Sequence, residues 1–316
     1  MDKTARKSRK RIRKNEWQLL SMAGAGFIFL FVFSYVPMFG IILAFRDGDS
    51  ALNVLKAITS APWAGMHGFK NFYDFLTDER FWPIVLNTVC YNLLSLAVCM
   101  PIPVILALMF YEVRHPAYGK TVQFMTYLPH FVSMVVYVGI VHSLVDMQTG
   151  AVNGLIKALG LSETSINFKG NPKYSWGLMI ISNILKGSGW GSIIYLAAIM
   201  GVDVQLFEAA EIDGANRLQK IRYITLPEIA PIFVLNLVLN ISGILNNDAG
   251  TMLLWQTQSN LTRTEVFSTF ILKSGINEML YSYATAAGVF KSIIGMLLII
   301  GANKLSKIIQ GEGVVF

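Results

Sequence analysis

The apolar residues of this chain fall into long runs, and this segmentation restricts the fold more than any other feature. The runs are about 18 to 25 residues long, which is the length at which an α-helix crosses a hydrocarbon core of about 30 Å. Stretches such as Phe27 to Phe33 and Ile293 to Ile300 are continuously apolar. They contradict the alternating pattern of a membrane β-barrel. We therefore predict an all-α integral membrane protein.

Composition excludes an ordinary soluble domain. The chain has 316 residues, of which 54% are hydrophobic and 14% charged, and its mean hydropathy is +0.52. Soluble domains are markedly less apolar and more charged than this. We predict six transmembrane helices in one domain. Their expected positions are Ser21 to Phe45, Ile84 to Tyr111, Val122 to Val145, Trp176 to Met200, Pro231 to Asp248 and Tyr283 to Ala302.

The placement of Lys and Arg predicts that both termini are cytoplasmic. With the amino end inside, fifteen of the 26 basic residues lie in inner segments and nine in outer loops. Eight of them precede the first span, where such charges set topology and contact anionic lipid. We predict a cytoplasmic leader at residues 1–20, a six-helix transmembrane domain at 21–305 with a cytoplasmic loop at 201–228, and a cytoplasmic tail at 306–316.

The sequence offers no pattern for catalysis or for a metal site. Gly119-Lys120-Thr121 resembles the end of a phosphate-binding loop, but Arg114 stands where that loop needs glycine. The four histidines are scattered, with no pair at ligand spacing apart from the loosely placed His130 and His142. No Ser, Cys or Thr lies in a recognisable nucleophile turn. We predict a non-enzymatic protein with no catalytic residue, metal site or cofactor of its own.

The predicted inner loop has the pattern of two short helices. Phe207 to Asp213 is rich in Ala and Glu, and Gly214 supplies a left-handed residue to end it. Ala215 to Ile224 follows, with apolar residues at three-residue spacing, and Pro227 is predicted to stop this second helix. An amphipathic loop of this kind suits either a groove on a partner protein or the lipid surface.

The same loop carries a sequence signature, Glu208-Ala209-Ala210, three residues, Gly214, nine residues, and Ile224-Thr225-Leu226-Pro227. It resembles the signature of the permease subunits of binding-protein-dependent ABC importers of the maltose-importer-like type I, and every fixed letter is met. A match of this length at fixed spacing arises by chance in about one of millions of windows. Further segments resemble the carbohydrate branch of that family, closest to oligosaccharide importers of Gram-positive bacteria. They include Gly68-Phe69-Lys70-Asn71-Phe72, Asn87-Thr88, Tyr127-Leu128-Pro129-His130, Gly189-Trp190 and Tyr195-Leu196-Ala197-Ala198.

The resemblance implies a MetI-like ABC permease fold with a cytoplasmic coupling helix in a bacterial plasma membrane. It also implies alternating access that moves an oligosaccharide delivered by an extracellular solute-binding protein. The implied partners are a second, non-identical permease and two cytoplasmic nucleotide-binding subunits, which hold the ATP and Mg. The implied coupling residues are Glu208, Ala209, Ala210, Asp213, Gly214, Arg217, Ile224, Leu226 and Pro227. The rival hypothesis is a membrane receptor or scaffold that recruits a cytosolic partner without transport.

Polar residues within the predicted spans indicate where substrate passes, since polar groups at membrane depth face a cavity or another helix. Amides at four- and three-residue spacing share one face of the fifth span and suit either sugar hydroxyls or helix contact. Gly187-Ser188-Gly189 predicts a kinked or locally opened fourth span. Lys186 suits either a structural bond to carbonyls or a bond to sugar, and Trp190 and Trp255 suit either sugar stacking or anchoring at the interface. The predicted path residues are Asn183, Lys186, Trp190, Tyr195, Asn236, Asn240 and Asn247.

Overall fold

The computed structural model describes residues 14–48 and 54–310. Most of the predicted basic leader (1–13) and part of the predicted tail (311–316) lie outside these residues. Across the described ranges the chain is helical, and its only strand-like pairing is an isolated bridge between Arg46 and Trp63. The all-α prediction is confirmed.

Seventeen α-helices make up most of the described chain. In order they are α1 (Lys14–Leu30), α2 (Val36–Met38), α3 (Val54–Ser60), α4 (Lys70–Thr77), α5 (Phe81–Cys99), α6 (Pro101–Glu112), α7 (Pro116–Phe131), α8 (Met134–Leu144), α9 (Ala151–Ala158), α10 (Pro172–Met200), α11 (Val204–Ile212), α12 (Arg217–Lys220), α13 (Leu226–Ser242), α14 (Ala249–Trp255), α15 (Leu261–Thr264), α16 (Phe267–Leu272) and α17 (Tyr281–Gln310). Shorter 3-10 segments (Phe39–Phe45, Met66–Gly68) and π segments (Phe31–Tyr35, Ile221–Thr225, Lys273–Asn277) join or extend them.

Four helical stretches of the described chain are long and apolar enough to cross a membrane. They are Leu20–Phe45, Phe81–Glu112, Arg217–Ile241 and Tyr281–Gly301. Two further pairs are bent, α7 with α8 by 104° and α10 with α11 by 69°. The number of spans reaches the predicted six when each bent pair counts as one span. The chain is therefore a multi-pass membrane protein.

The third predicted span is not one straight helix. Helix α7 ends at Phe131, and Ser133 begins α8 by accepting a hydrogen bond from the Val136 amide at 3.4 Å. Because serine is a favoured helix N-cap, the chain restarts there in a new direction. The apolar run at 122–145 concealed this break, since hydropathy does not register a change of direction.

The fifth span begins and ends earlier than predicted. Helix α12 continues through the π segment Ile221–Thr225 into α13, so Pro227 does not stop the second loop helix. Proline lacks an amide hydrogen, but Pro227 follows the wider π turn, where the backbone hydrogen bonds are already rearranged, so the helix continues through it. The helix then ends at Ser242, and residues 243–248 are not helical.

The fourth span is continuous rather than kinked, since α10 runs unbroken through Gly187-Ser188-Gly189. A Cβ atom on Gly189 would overlap the backbone of Thr126 on α7. One on Gly191 would come within 3.2 Å of the Pro103 side chain on α6. These glycines therefore let α10 pack closely against two neighbouring helices, as small residues commonly do in membranes.

Buried aromatic and aliphatic side chains form the core, while many other apolar residues face outwards. Phe75 is fully buried and packs against Phe81, Phe267 and Phe270. By contrast, Phe27 in the first span is 71% exposed. An outward apolar surface of this kind suits a lipid or membrane-protein environment.

Candidate functional site

A cavity of about 400 Å³ lies within the bundle between α5, α6, α10 and α13. Four of the predicted path residues line it, namely Asn183, Tyr195, Asn236 and Asn240. The lining also includes Asn92, Ser95 and Ser188, and none of its residues is Asp, Glu, Lys or Arg. The cavity is thus polar but uncharged.

Each of these three cavity amides makes one hydrogen bond to the protein. The Nδ2 atoms of Asn236 and Asn240 donate one turn back, to the carbonyls of Ile232 (3.0 Å) and Asn236 (2.8 Å). The Nδ2 atom of Asn183 donates to the Tyr91 hydroxyl at 3.1 Å. One N–H of each amide is therefore paired inside the bundle, and the second N–H and the amide oxygen keep the capacity to bond a ligand hydroxyl.

Asn247 lies apart from the other fifth-span amides because α13 ends before it. Its amide exchanges two hydrogen bonds with Asn92 on α5, at 2.9 and 2.8 Å. Asn92 lines the cavity and Asn247 does not. Sequence reasoning missed Asn92 because a single amide in an apolar span shows no periodicity, although any amide at membrane depth is a signal in itself.

Lys186 and Trp190 do not line the cavity. The Lys186 ammonium donates to the carbonyls of Pro129 (3.1 Å), His130 (3.2 Å) and Val132, where α7 ends. The Trp190 ring stacks on His130, with ring centroids 4.7 Å apart. Both side chains therefore stabilise the break between α7 and α8, which favours the structural alternative for Lys186.

Trp255 does not line the polar cavity either. It is 4% exposed and packs edge-on against His142 in a core cluster. Its size and burial make it a packing residue. This burial favours a packing role for Trp255 over sugar stacking.

The loop at 201–228 is built from capped helices, which fixes its shape. Asp203 begins α11 by accepting a bond from the Gln205 amide. Gly214 ends that helix with φ +78°, a left-handed conformation that favours glycine. Asn216 and Gln219 then form a reciprocal capping box at the start of α12.

Side-chain contacts join the two loop helices to each other and to α6. The Lys220 ammonium lies 2.6 Å from the Glu211 carboxylate, so α12 is tied to α11. Arg217 lies 3.6 Å from Glu112 at the end of α6. The rings of Tyr111 and Phe207 are also in contact, with centroids 6.4 Å apart. Since α6 lines the cavity, these contacts connect the loop to a wall of the cavity.

The loop presents an exposed surface that mixes apolar and charged residues. Among the described residues of α11 none is buried, and Glu208 and Ala209 are exposed. Large apolar side chains are also exposed, with Ile212 at 87% and Leu218 at 76%. Ile224 is half-buried and contributes less. Large exposed apolar side chains beside charged ones suit a protein-binding surface.

Known proteins share both the sequence and this fold. The chain is 38% identical over 289 residues to the polygalacturonan/rhamnogalacturonan transport system permease protein YteP of Bacillus subtilis. The aligned region covers 92% of this chain and 87% of that protein. It also matches the crystal structure of a bacterial ABC transporter involved in the import of the acidic polysaccharide alginate, with a TM-score of 0.84, 35% identity and coverage of 94% and 97%.

A second solved structure is a bacterial alginate ABC transporter in complex with an alginate pentasaccharide-bound periplasmic protein, with a TM-score of 0.84, 34% identity and coverage of 95% and 97%. The family model of the binding-protein-dependent transport system inner membrane component matches residues 79–311, which is most of the chain. The chain therefore belongs to that family, the non-enzymatic permease subunits of ABC importers.

Proposed function

We propose that this chain forms half of the membrane pore of an ATP-driven importer for oligosaccharides. The observation that carries the proposal is the uncharged cavity lined by Asn and Ser side chains, because such groups both donate to and accept from sugar hydroxyls. Its volume of about 400 Å³ is within the usual range of ligand sites. The substrates named for the similar proteins, polygalacturonan and alginate, support a carbohydrate.

The loop at 201–228 is proposed to lie in the cytosol and to bind a separate nucleotide-binding subunit. Two features support this role. Its exposed Glu208, Ile212 and Leu218 offer a docking surface, and α12 continues without interruption into α13, which lines the cavity. A movement of the partner would therefore displace a wall of the cavity directly. This provides a physical route for alternating access.

The complete importer is proposed to contain a second permease, two nucleotide-binding subunits that hold ATP and Mg, and an extracellular solute-binding protein. It lies in a bacterial plasma membrane with both termini of this chain in the cytosol. The periplasmic protein present in the related alginate complex supports the external partner. The basic leader supports the orientation.

Charge reversal tests the coupling role. In proteoliposomes containing the complete importer, Glu208→Lys should reduce oligosaccharide uptake about tenfold or more, because reversing an exposed charge on the docking surface would disrupt its charge complementarity with the nucleotide-binding subunit. The measurement is labelled oligosaccharide uptake together with ATP hydrolysis. Glu163→Lys is the matched control, since Glu163 is exposed outside the loop.

Two results would contradict the proposal. If Glu208→Lys assembles and transports like the parent protein, the coupling role is wrong. If the parent complex binds its partners but takes up no oligosaccharide, the chain is better explained as a receptor or scaffold.

A further inference from the structure

Two open grooves, of about 880 and 600 Å³, lie along α17 outside the cavity described above. Lys291 lines both of them. It stands at the middle of the span Tyr281–Gly301, ten residues from either end. That distance is about 15 Å along the helix axis, farther than a lysine side chain extends. The ammonium group therefore lies at membrane depth.

Lys291 differs in its contacts from Lys186, the other mid-span lysine. Lys186 donates to three backbone carbonyls. Among the groups that the structure describes, none forms a hydrogen bond or an ion pair with the Lys291 ammonium. A cation without a partner at this depth is costly, so such residues face a water-filled cavity or pair with an oppositely charged group.

The smaller of these two grooves is separated from the polar cavity by one short segment. Gly243 and Ile244 line the cavity, while Leu245 and Asn246 line the smaller groove. The non-helical segment at 243–248 is thus a shared wall. A neutral polar site and a cationic site lie on its two sides.

We propose that Lys291, with Asn246 beside it, contacts the carboxylate of an acidic oligosaccharide during passage. The inference rests on the proposed function and adds the substrate class, a uronic-acid oligosaccharide. Lysine supplies up to three donors and a full charge, and the amide can bond a neighbouring hydroxyl. The uncharged cavity provides hydroxyl recognition but no cation for a carboxylate. In the described chain, Lys291 is the mid-span cation whose ammonium donors remain available to a ligand carboxylate.

Direct binding to the complete importer in nanodiscs tests the inference without relying on delivery. The probes are labelled trigalacturonate and trimannuronate and their fully methyl-esterified forms, which have the same sugars without the charge. The parent complex should bind an acid at least about tenfold more tightly than its ester, in keeping with a charge-assisted bond. Lys291→Met should remove that preference and Lys291→Arg should keep it. Lys304→Met, on the same helix beyond the span, should leave it unchanged.

Each alternative outcome overturns the inference. If the parent complex binds acid and ester equally, no cation of the importer binds the carboxylate, and this holds for any binding result of the variants. If the complex that carries Lys291→Met loses its second permease during purification, the Lys291 ammonium belongs to a subunit interface instead. A parent complex that imports only neutral oligosaccharides would also overturn it, while leaving the proposed function intact. The proposed function fails separately, if no oligosaccharide is taken up.

Discussion

At the scale of single residues, Asp78 makes several polar contacts just before the second span. Its carboxylate accepts bonds from the Arg80 side chain at 3.0 Å and from the Tyr283 hydroxyl at 2.6 Å. The Arg80 guanidinium also lies over the Phe270 ring. Burial raises the pKa of the Asp78 carboxyl, but the bonds from Arg80 and Tyr283 outweigh it and lower the pKa from 3.8 to about 2. These contacts tie the segment before α5 to α17.

A lowered pKa means that this carboxylate stabilises the fold above its unfolded-state pKa. The contribution is complete above about pH 4 and is lost as the pH falls from about 4 to about 2. We expect Asp78→Asn to lower the apparent melting temperature of the complex by about 2 °C at pH 7, since Arg80 is half-exposed and solvent weakens the pair. The difference from the parent protein should shrink below pH 4.

Thermal unfolding followed across pH 2 to 7 measures this effect. Asp74→Asn is the control, since Asp74 is an exposed carboxylate on the neighbouring helix. A difference between Asp78→Asn and the parent that stays constant down to pH 2 would contradict the assignment.

Residue types in the spans predicted much of the cavity but not how each side chain is used. Asn183, Asn236 and Asn240 were expected on the route because amides at membrane depth are rare, and all three line the cavity. Lys186 was equally unusual in sequence, yet its ammonium bonds carbonyls 54 to 57 positions earlier. Such long-range partners depend on how helices pack, which the local pattern does not encode.

At the scale of helices, the sequence predicted which segments are helical better than it predicted where each helix breaks or continues. The loop helix ending at Gly214 was predicted from local chemistry, and its glycine has the expected positive φ. The break at Phe131 and the continuation through Pro227 were not predicted. In both cases neighbouring turns override the residue's own tendency, because a cap or a π turn redistributes the backbone hydrogen bonds.

Close packing of α10 depends on the absence of a side chain at one position. Gly189→Ala should destabilise the protein by about 1–3 kcal/mol, because its methyl group would overlap the Thr126 backbone and push α7 away. Gly187→Ala, two residues earlier on the same helix, has no atom within 4 Å of the added methyl and should not destabilise the protein. Melting temperature and the yield of assembled complex measure both variants. Equal stability of the two would show that α7 moves aside at no cost.

At the scale of the whole molecule, the long helix α10 lies between helix α9 and the proposed coupling helices. Its 29 residues extend about 43 Å, enough to cross a bilayer. The exposed helix α9 precedes it, and the proposed coupling helices α11 and α12 follow it. If α10 crosses the membrane, a label on α9 and a label on α11 must lie on opposite sides.

Accessibility labelling therefore decides the orientation on which the coupling role depends. In a variant with Cys90 and Cys99 replaced by serine, Lys157→Cys on α9 should react with a membrane-impermeant maleimide in intact cells. Gln205→Cys on α11 should react only after the cells are permeabilised. Both residues are exposed, so equal labelling in detergent is the control for intrinsic reactivity. Labelling of Gln205→Cys in intact cells would place the loop outside, where no ATP-hydrolysing subunit could reach it.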